Sequence, residues 1–106
     1  MTSSAKEAAE RDRRRLHQLE ALVGMCERGD LSLSSFLHDV NALLGAFEQV
    51  DTQWSHSFKS EWWTIEQVFA ASKEPDLKPS DDQARALVRE SLANMRKLLA
   101  AKSAPA

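Results

Sequence analysis

Apolar residues recur at intervals of three and four along most of the chain, which is the period of an amphipathic α-helix. Four stretches share this period, and they predict helices over about residues 4–28, 33–49, 52–72 and 81–100. The alternation of apolar and polar residues that is typical of strands is absent. The sequence therefore predicts an all-α fold, a three- to four-helix antiparallel bundle with short loops.

The predicted helix ends carry recognisable local signals. Gly29 is placed to end the first helix, and Asp51 to cap the third at its N-terminus. Ser80 and Gln83 form a capping box for the fourth. Gly45 lies inside the second predicted helix, where a small residue predicts the close approach of a neighbouring helix.

The 106 residues predict a single helical domain over 1–106, with disordered tails at about 1–5 and 101–106. The segment from Lys6 to Arg15 is mostly alanine and charged residues. It is therefore predicted to project from the bundle.

Composition excludes several classes of protein. The single cysteine, Cys26, excludes an intramolecular disulfide framework and a cysteine-only zinc site. No apolar run approaches the roughly 20 residues that span a bilayer, and no apolar signal-peptide core follows the start of the chain. We therefore expect a small cytoplasmic domain without membrane attachment.

Catalytic and metal-binding patterns are missing from the sequence. His17 and Cys26 are nine residues apart and would point to opposite sides of one helix, so they cannot share a metal ion. Cys26 lies on an apolar stripe, where cysteine behaves as a small hydrophobic residue. No enzyme activity, metal site or cofactor is predicted.

The segment from Arg11 to Arg15 contains four arginines, which could contact nucleic-acid phosphates. Acidic residues are interleaved with them, however, and the pI of about 5.9 is far below that of a typical nucleic-acid-binding domain. Helical pairs of Glu7 with Arg11 and Glu10 with Arg14 are the favoured interpretation. Nucleic acid is therefore not predicted as a partner.

Charge is unevenly distributed along the chain. Residues 16–74 carry a net charge of −6, whereas residues 1–15 and 75–106 carry +2 each. Such asymmetry bears on partners rather than on fold. An acidic middle favours a basic partner, although unequal charge on solvated helix faces is equally compatible with it.

The third predicted helix carries a continuous aromatic stripe that is typical of a bundle core. Its members are Trp54, Phe58, Trp62, Ile65 and Phe69. At about 100° per residue, Trp63 lies about 140° from the centre of this stripe, beside Lys59 and Glu66. Trp63 is therefore predicted either to pack beneath another helix or to face solvent as a partner contact.

These features predict a non-catalytic protein-binding module with an acidic face and an aromatic anchor. The predicted partner-binding residues are Trp63, Glu66, Glu61, Glu48, Asp51 and Lys59. Complementary charge would set the association rate and specificity, and a buried tryptophan would supply affinity.

The stretch from Leu19 to Leu99 resembles small helical bacterial immunity-type proteins of polymorphic or contact-dependent toxin systems. The resemblance is carried by Gly29-Asp-Leu-Ser-Leu, Phe47-Glu, Trp54, Phe58, Trp62 and Ile65-Glu66. It implies a one-to-one complex that blocks a cognate toxin, and the acidic face would suit a basic toxin such as a nuclease. The alternative is a homodimeric regulatory or structural subunit, because small helical domains often dimerise to bury their apolar stripes.

Overall fold

The computed structural model describes residues 3–73 and 81–103, which form four helices. They are α1 (Ser3–Glu27), α2 (Leu33–Ala46), α3 (Thr52–Ala71) and α4 (Asp81–Ser103). Helix α1 packs against α2 and α4, and α3 packs against the same two helices. The chain is therefore an all-α bundle, as the apolar period predicted.

All four helices contribute to one core. Its fully buried side chains are Leu19, Val23, Phe36, Val40, Phe58, Ile65, Met95 and Leu99. Burial of a large apolar side chain contributes about 1.5–3 kcal/mol, so this core is the main source of stability. These eight positions confirm part of the apolar stripes that the helical period selected, whereas Leu87 of the α4 stripe is exposed.

The predicted signals at the ends of α1 and α3 are confirmed. Gly29 adopts a φ of 78° and donates its N–H to Cys26 O at 3.1 Å, while Asp30 N donates to Met25 O at 2.9 Å. This pair of bonds is a Schellman motif, which favours glycine at the left-handed position. Asp51 caps α3 by accepting from the N–H of Trp54 at 2.7 Å. The predicted cap at Ser80 lies outside the described residues.

Helix α2 ends three residues earlier than its apolar pattern predicted. Phe47 is extended, with φ −60° and ψ 141°, and the N–H groups of Glu48 and Gln49 donate to the Asp12 carboxylate. The Asp12 carboxylate on α1 thus accepts the backbone N–H groups that would form hydrogen bonds within a longer α2.

Helices α1 and α4 include some of the residues that the sequence predicted as tails. Residues 3–5 belong to α1, and residues 101–103 belong to α4. Ala8 and Asp12 are buried, so the first half of α1 contacts the bundle rather than only projecting from it. At the other end, Lys102 is held by an ion pair with Asp51 at 2.8 Å.

The close helix approach predicted at Gly45 does not occur there. A Cβ atom placed on Gly45 would have no neighbour within 4 Å. At Gly24, which is buried, the same atom would meet only the guanidinium ends of Arg28 and Arg96, at 3.3 and 3.4 Å. The prediction failed because the sequence does not show which side of α2 its neighbours cover.

Candidate functional site

Two of the three tryptophans on α3 are buried and stabilise the packing of the bundle. Trp54 and Trp62 are 7% and 9% exposed. The indole N–H of Trp54 donates to Leu98 O on α4 at 2.9 Å, and that of Trp62 donates to Leu37 O on α2 at 2.8 Å. A buried indole needs such a partner, and here each one connects α3 to a neighbouring helix.

Trp63 is the exception, because 54% of its surface is exposed. Of the two environments that the sequence left open, the structure selects the solvent-facing one. The ring of Trp63 lies against that of Trp62, with centroids 6.2 Å apart and planes at 30°. Trp63 therefore rests on a rigid, buried neighbour while most of its indole stays accessible.

A shallow cleft of about 280 Å³ lies between α2 and α3, one helical turn from Trp63. Its apolar lining comes from Leu37, Trp62 and Phe69. Its polar lining comes from Ser34, His38, Asn41 and Glu66. The cleft thus has a mixed lining in which polar groups predominate.

Lys59 borders the same face. Its ammonium group lies 4.0 Å from the centroid of the Trp62 ring and forms a hydrogen bond with Asn41 Oδ1. A cation over a tryptophan ring is attracted by the ring quadrupole. Lys59 is therefore held across the α2–α3 seam, beside Trp63 rather than free in solvent.

Glu66 carries the one buried side-chain oxygen that lacks a hydrogen-bond partner among the described residues. This atom is Oε2, and its carboxylate lines the α2–α3 cleft. A carboxylate oxygen removed from water without a donor is energetically unfavourable.

Glu48 lies elsewhere, at the connection between α2 and α3. Its carboxylate accepts from Arg11 at 2.7 and 2.8 Å and from Arg15 at 2.9 Å. These hydrogen bonds lower the pKa of Glu48 from 4.5 to about 2. Glu48 was predicted to contact a basic partner, but its negative charge is already matched by Arg11 and Arg15.

Asp51 is similarly engaged. It accepts from Lys102 at 2.8 Å as well as from the N–H of Trp54, and these bonds lower its pKa. Glu61 accepts from Asn94 on α4 at 3.2 Å. Glu61 and Glu66 are about 140° apart around α3, so they border different helix seams.

The structure therefore brings together only half of the predicted partner-binding residues. Trp63, Lys59 and Glu66 share one face, whereas Glu48, Asp51 and Glu61 lie apart from it. Sequence analysis missed the α2 contribution, which consists of Ser34, His38 and Asn41. Their spacing of four and three, beside the buried Leu37, is the signal that could have found them.

The arginine cluster has a structural role at two of its four positions. Arg11 and Arg15 contact Glu48, and Arg15 also donates to Asp12 at 3.0 Å. Arg11 forms its hydrogen bonds across the bundle, with Glu48 rather than with the predicted Glu7. Arg13 and Arg14 are exposed.

Within residues 3–73 and 81–103, no three or more histidine, cysteine or acidic side chains come together in a way that could hold a metal ion. In the same residues, none of the helices combines the length and apolar character needed to cross a membrane.

No protein-family model matches the chain, and comparison with curated proteins and with solved structures gave no significant match either. The resemblance to immunity-type proteins stays a prediction. The geometry of the α2–α3 face is therefore the basis for assigning a function to the chain.

Proposed function

We propose that the chain is a non-catalytic, cytoplasmic protein-binding module of the immunity type, which binds and blocks a cognate toxin. Its binding site is the Trp63 surface, which we define as six residues of α2 and α3. They are Ser34, His38, Asn41, Lys59, Trp63 and Glu66. The observation that carries the proposal is the 54% exposure of Trp63 on an otherwise well-buried aromatic helix.

Energetics support a protein partner at this surface. Tryptophan is enriched among the residues that dominate interface energies, because it removes a large apolar area from water at a small entropic cost. The ring of Trp63 is supported from behind by Trp62, whose own N–H is fixed on Leu37 O. A partner would therefore meet a preorganised indole, which reduces the cost of ordering on binding.

Charge complementarity with a basic partner rests on Glu66 rather than on the whole acidic middle of the chain. Glu48 and Asp51 have internal cationic partners, whereas Glu66 Oε2 has no hydrogen-bond partner among the described residues. The residue as a whole is half-buried, so a partner's arginine or lysine could donate to its carboxylate beside the Trp63 ring. Charge-assisted hydrogen bonds of this kind are stronger than neutral ones.

The test begins with co-purification by three tagged proteins: the wild type, Trp63→Ala and Leu87→Ala. Leu87 is the matched control, because among the described residues it is the other large exposed apolar side chain and lies on α4 at 42% exposure. We expect a stoichiometric partner to bind the wild type and Leu87→Ala in a salt-sensitive manner, and to be lost with Trp63→Ala. Quenching of Trp63 fluorescence by iodide should decrease in the purified complex.

The blocking activity needs a second experiment. The gene of the captured partner is expressed in a host cell with and without this chain. Growth arrest that the wild type relieves and Trp63→Ala does not would support the immunity-type function. A partner without toxicity would refute the immunity type, while self-association that shields Trp63 would favour the homodimeric subunit instead.

A further inference from the structure

A second concavity lies at the end of the bundle where α1 and α3 end and α4 begins. It is an open groove of about 530 Å³. Its apolar lining includes Cys26, Leu31, Leu33, Val68, Val88 and Leu92. Phe69 also lines it and separates it from the α2–α3 cleft beside Trp63. Pockets that hold small ligands commonly have volumes of about 300–1,000 Å³ and mainly apolar walls, so this groove is large enough for one.

The charged residues of the groove are unequal in their availability. Arg85 and Arg89 line it from successive turns of α4, and both are exposed. Glu27 also lines the groove, but its carboxylate accepts from Arg96 Nε at 2.7 Å. The charge of Glu27 is thus matched by Arg96, and the guanidinium groups of Arg85 and Arg89 remain beside the apolar lining of the groove.

We propose that this groove binds a small anionic amphiphile, a straight-chain alkyl carboxylate, independently of the Trp63 surface. The alkyl chain occupies the apolar channel, and the carboxylate binds Arg85 and Arg89. Guanidinium groups present paired donors that match the two oxygens of a carboxylate. The combination of apolar walls and two arginines therefore selects against both neutral and cationic amphiphiles.

Cys26 provides a reporter inside the groove. It is the only cysteine of the chain, it is half-buried, and its position places the thiol among the lining residues. Burial raises the pKa of this thiol. Because only the thiolate attacks a disulfide reagent, the reaction of Cys26 is slow. A ligand in the groove covers the thiol and slows the reaction further.

The experiment measures the rate at which Cys26 reacts with an aromatic disulfide reagent at increasing dodecanoate concentration, below the concentration at which micelles form. We expect saturable protection of at least fivefold. Decanoate, which is two methylenes shorter, should bind about fifteenfold more weakly, since each buried methylene contributes about a fourfold factor in affinity. Dodecanol and dodecyltrimethylammonium should protect at least tenfold less well.

Variants locate the ligand. The double variant Arg85→Gln/Arg89→Gln should weaken dodecanoate binding at least tenfold, while Arg13→Gln, an exposed arginine on α1, should leave it unchanged. All three arginines are exposed, so circular dichroism should show native helicity. Unsaturable protection, equal protection by dodecanol, or undiminished binding by the double variant would overturn the proposal. Because none of these residues belongs to the Trp63 surface, either proposal can fail without the other.

Discussion

Trp62 and Trp63 are adjacent in sequence, their rings are 6.2 Å apart, and their environments are opposite. Trp62 is 9% exposed and its N–H is bound to Leu37 O, whereas Trp63 is 54% exposed. Successive residues on a helix are rotated by about 100°, so the two neighbours cannot both face the core. The first of them stabilises the bundle, and the second remains accessible to a partner.

Truncation of these two tryptophans should separate the two roles. Trp62→Ala removes a buried ring and its hydrogen bond, so we expect a loss of about 3–5 kcal/mol in the free energy of unfolding. Trp63→Ala should change it by no more than about 0.5 kcal/mol, as is usual at the surface. Urea unfolding followed by circular dichroism measures both. A loss above about 2 kcal/mol for Trp63→Ala would show that this ring is part of the core.

Replacement of Asp12 by alanine should destabilise the bundle although the residue is charged. Asp12 is 6% exposed and accepts the backbone N–H groups of Glu48 and Gln49. Loss of these charge-assisted bonds leaves two donors without partners, and we expect a cost of about 2–3 kcal/mol. The control is Asp30→Ala, because the side chain of Asp30 pairs with Arg28 at the exposed surface. A similar loss in both variants would contradict the role of Asp12.

Acid should weaken the contact between α1 and the α2–α3 connection. The pKa of Glu48 is about 2 in the folded chain and 4.5 without its arginine partners. Because the folded-state pKa is the lower one, ionised Glu48 stabilises the fold fully above about pH 4.5 and loses this effect as the pH falls towards 2. The difference in unfolding free energy between wild type and Glu48→Gln should shrink over that window. The exposed Glu90→Gln is the control. A constant difference would contradict this assignment.

Two glycines should respond oppositely to alanine. Gly45 lies within α2, and a Cβ there would meet nothing within 4 Å, so Gly45→Ala should raise the unfolding free energy by about 0.5–1 kcal/mol. Gly29 has a φ of 78°, which is unfavourable for a residue with a Cβ atom. Gly29→Ala should therefore lower the unfolding free energy by about 1–2 kcal/mol. Thermal unfolding of both variants measures the changes. Stabilisation by Gly29→Ala would refute the argument from backbone conformation.

Local patterns predicted the fold, because helical period and capping residues act over a few positions. The apolar stripe of α2 and the cap at Asp51 are examples. The partner of Glu48 could not be predicted, because Arg11 is 37 residues away and only packing brings them together. Period also placed Trp63 away from the core stripe, but its exposure depends on which surface the neighbouring helices cover.

Only half of the candidate site could be predicted, because the other half depends on how the helices pack. Lys59 and Glu66 lie within four residues of Trp63 on α3, so helical spacing was sufficient to group them. His38 and Asn41 reach this face from α2, and their placement depends on how α2 rotates against α3. A single sequence does not specify that rotation.

The carboxylate of Asp12 has a consequence for the dynamics of the α2–α3 connection. Amide hydrogens in a short loop usually exchange with solvent deuterium in brief local openings. Those of Glu48 and Gln49 are held by a residue near the start of the chain. Their exchange therefore requires α1 to separate from the loop, and deuterium should enter both amides at one shared, slow rate. Opening of the α2–α3 connection is thus coupled to the movement of α1.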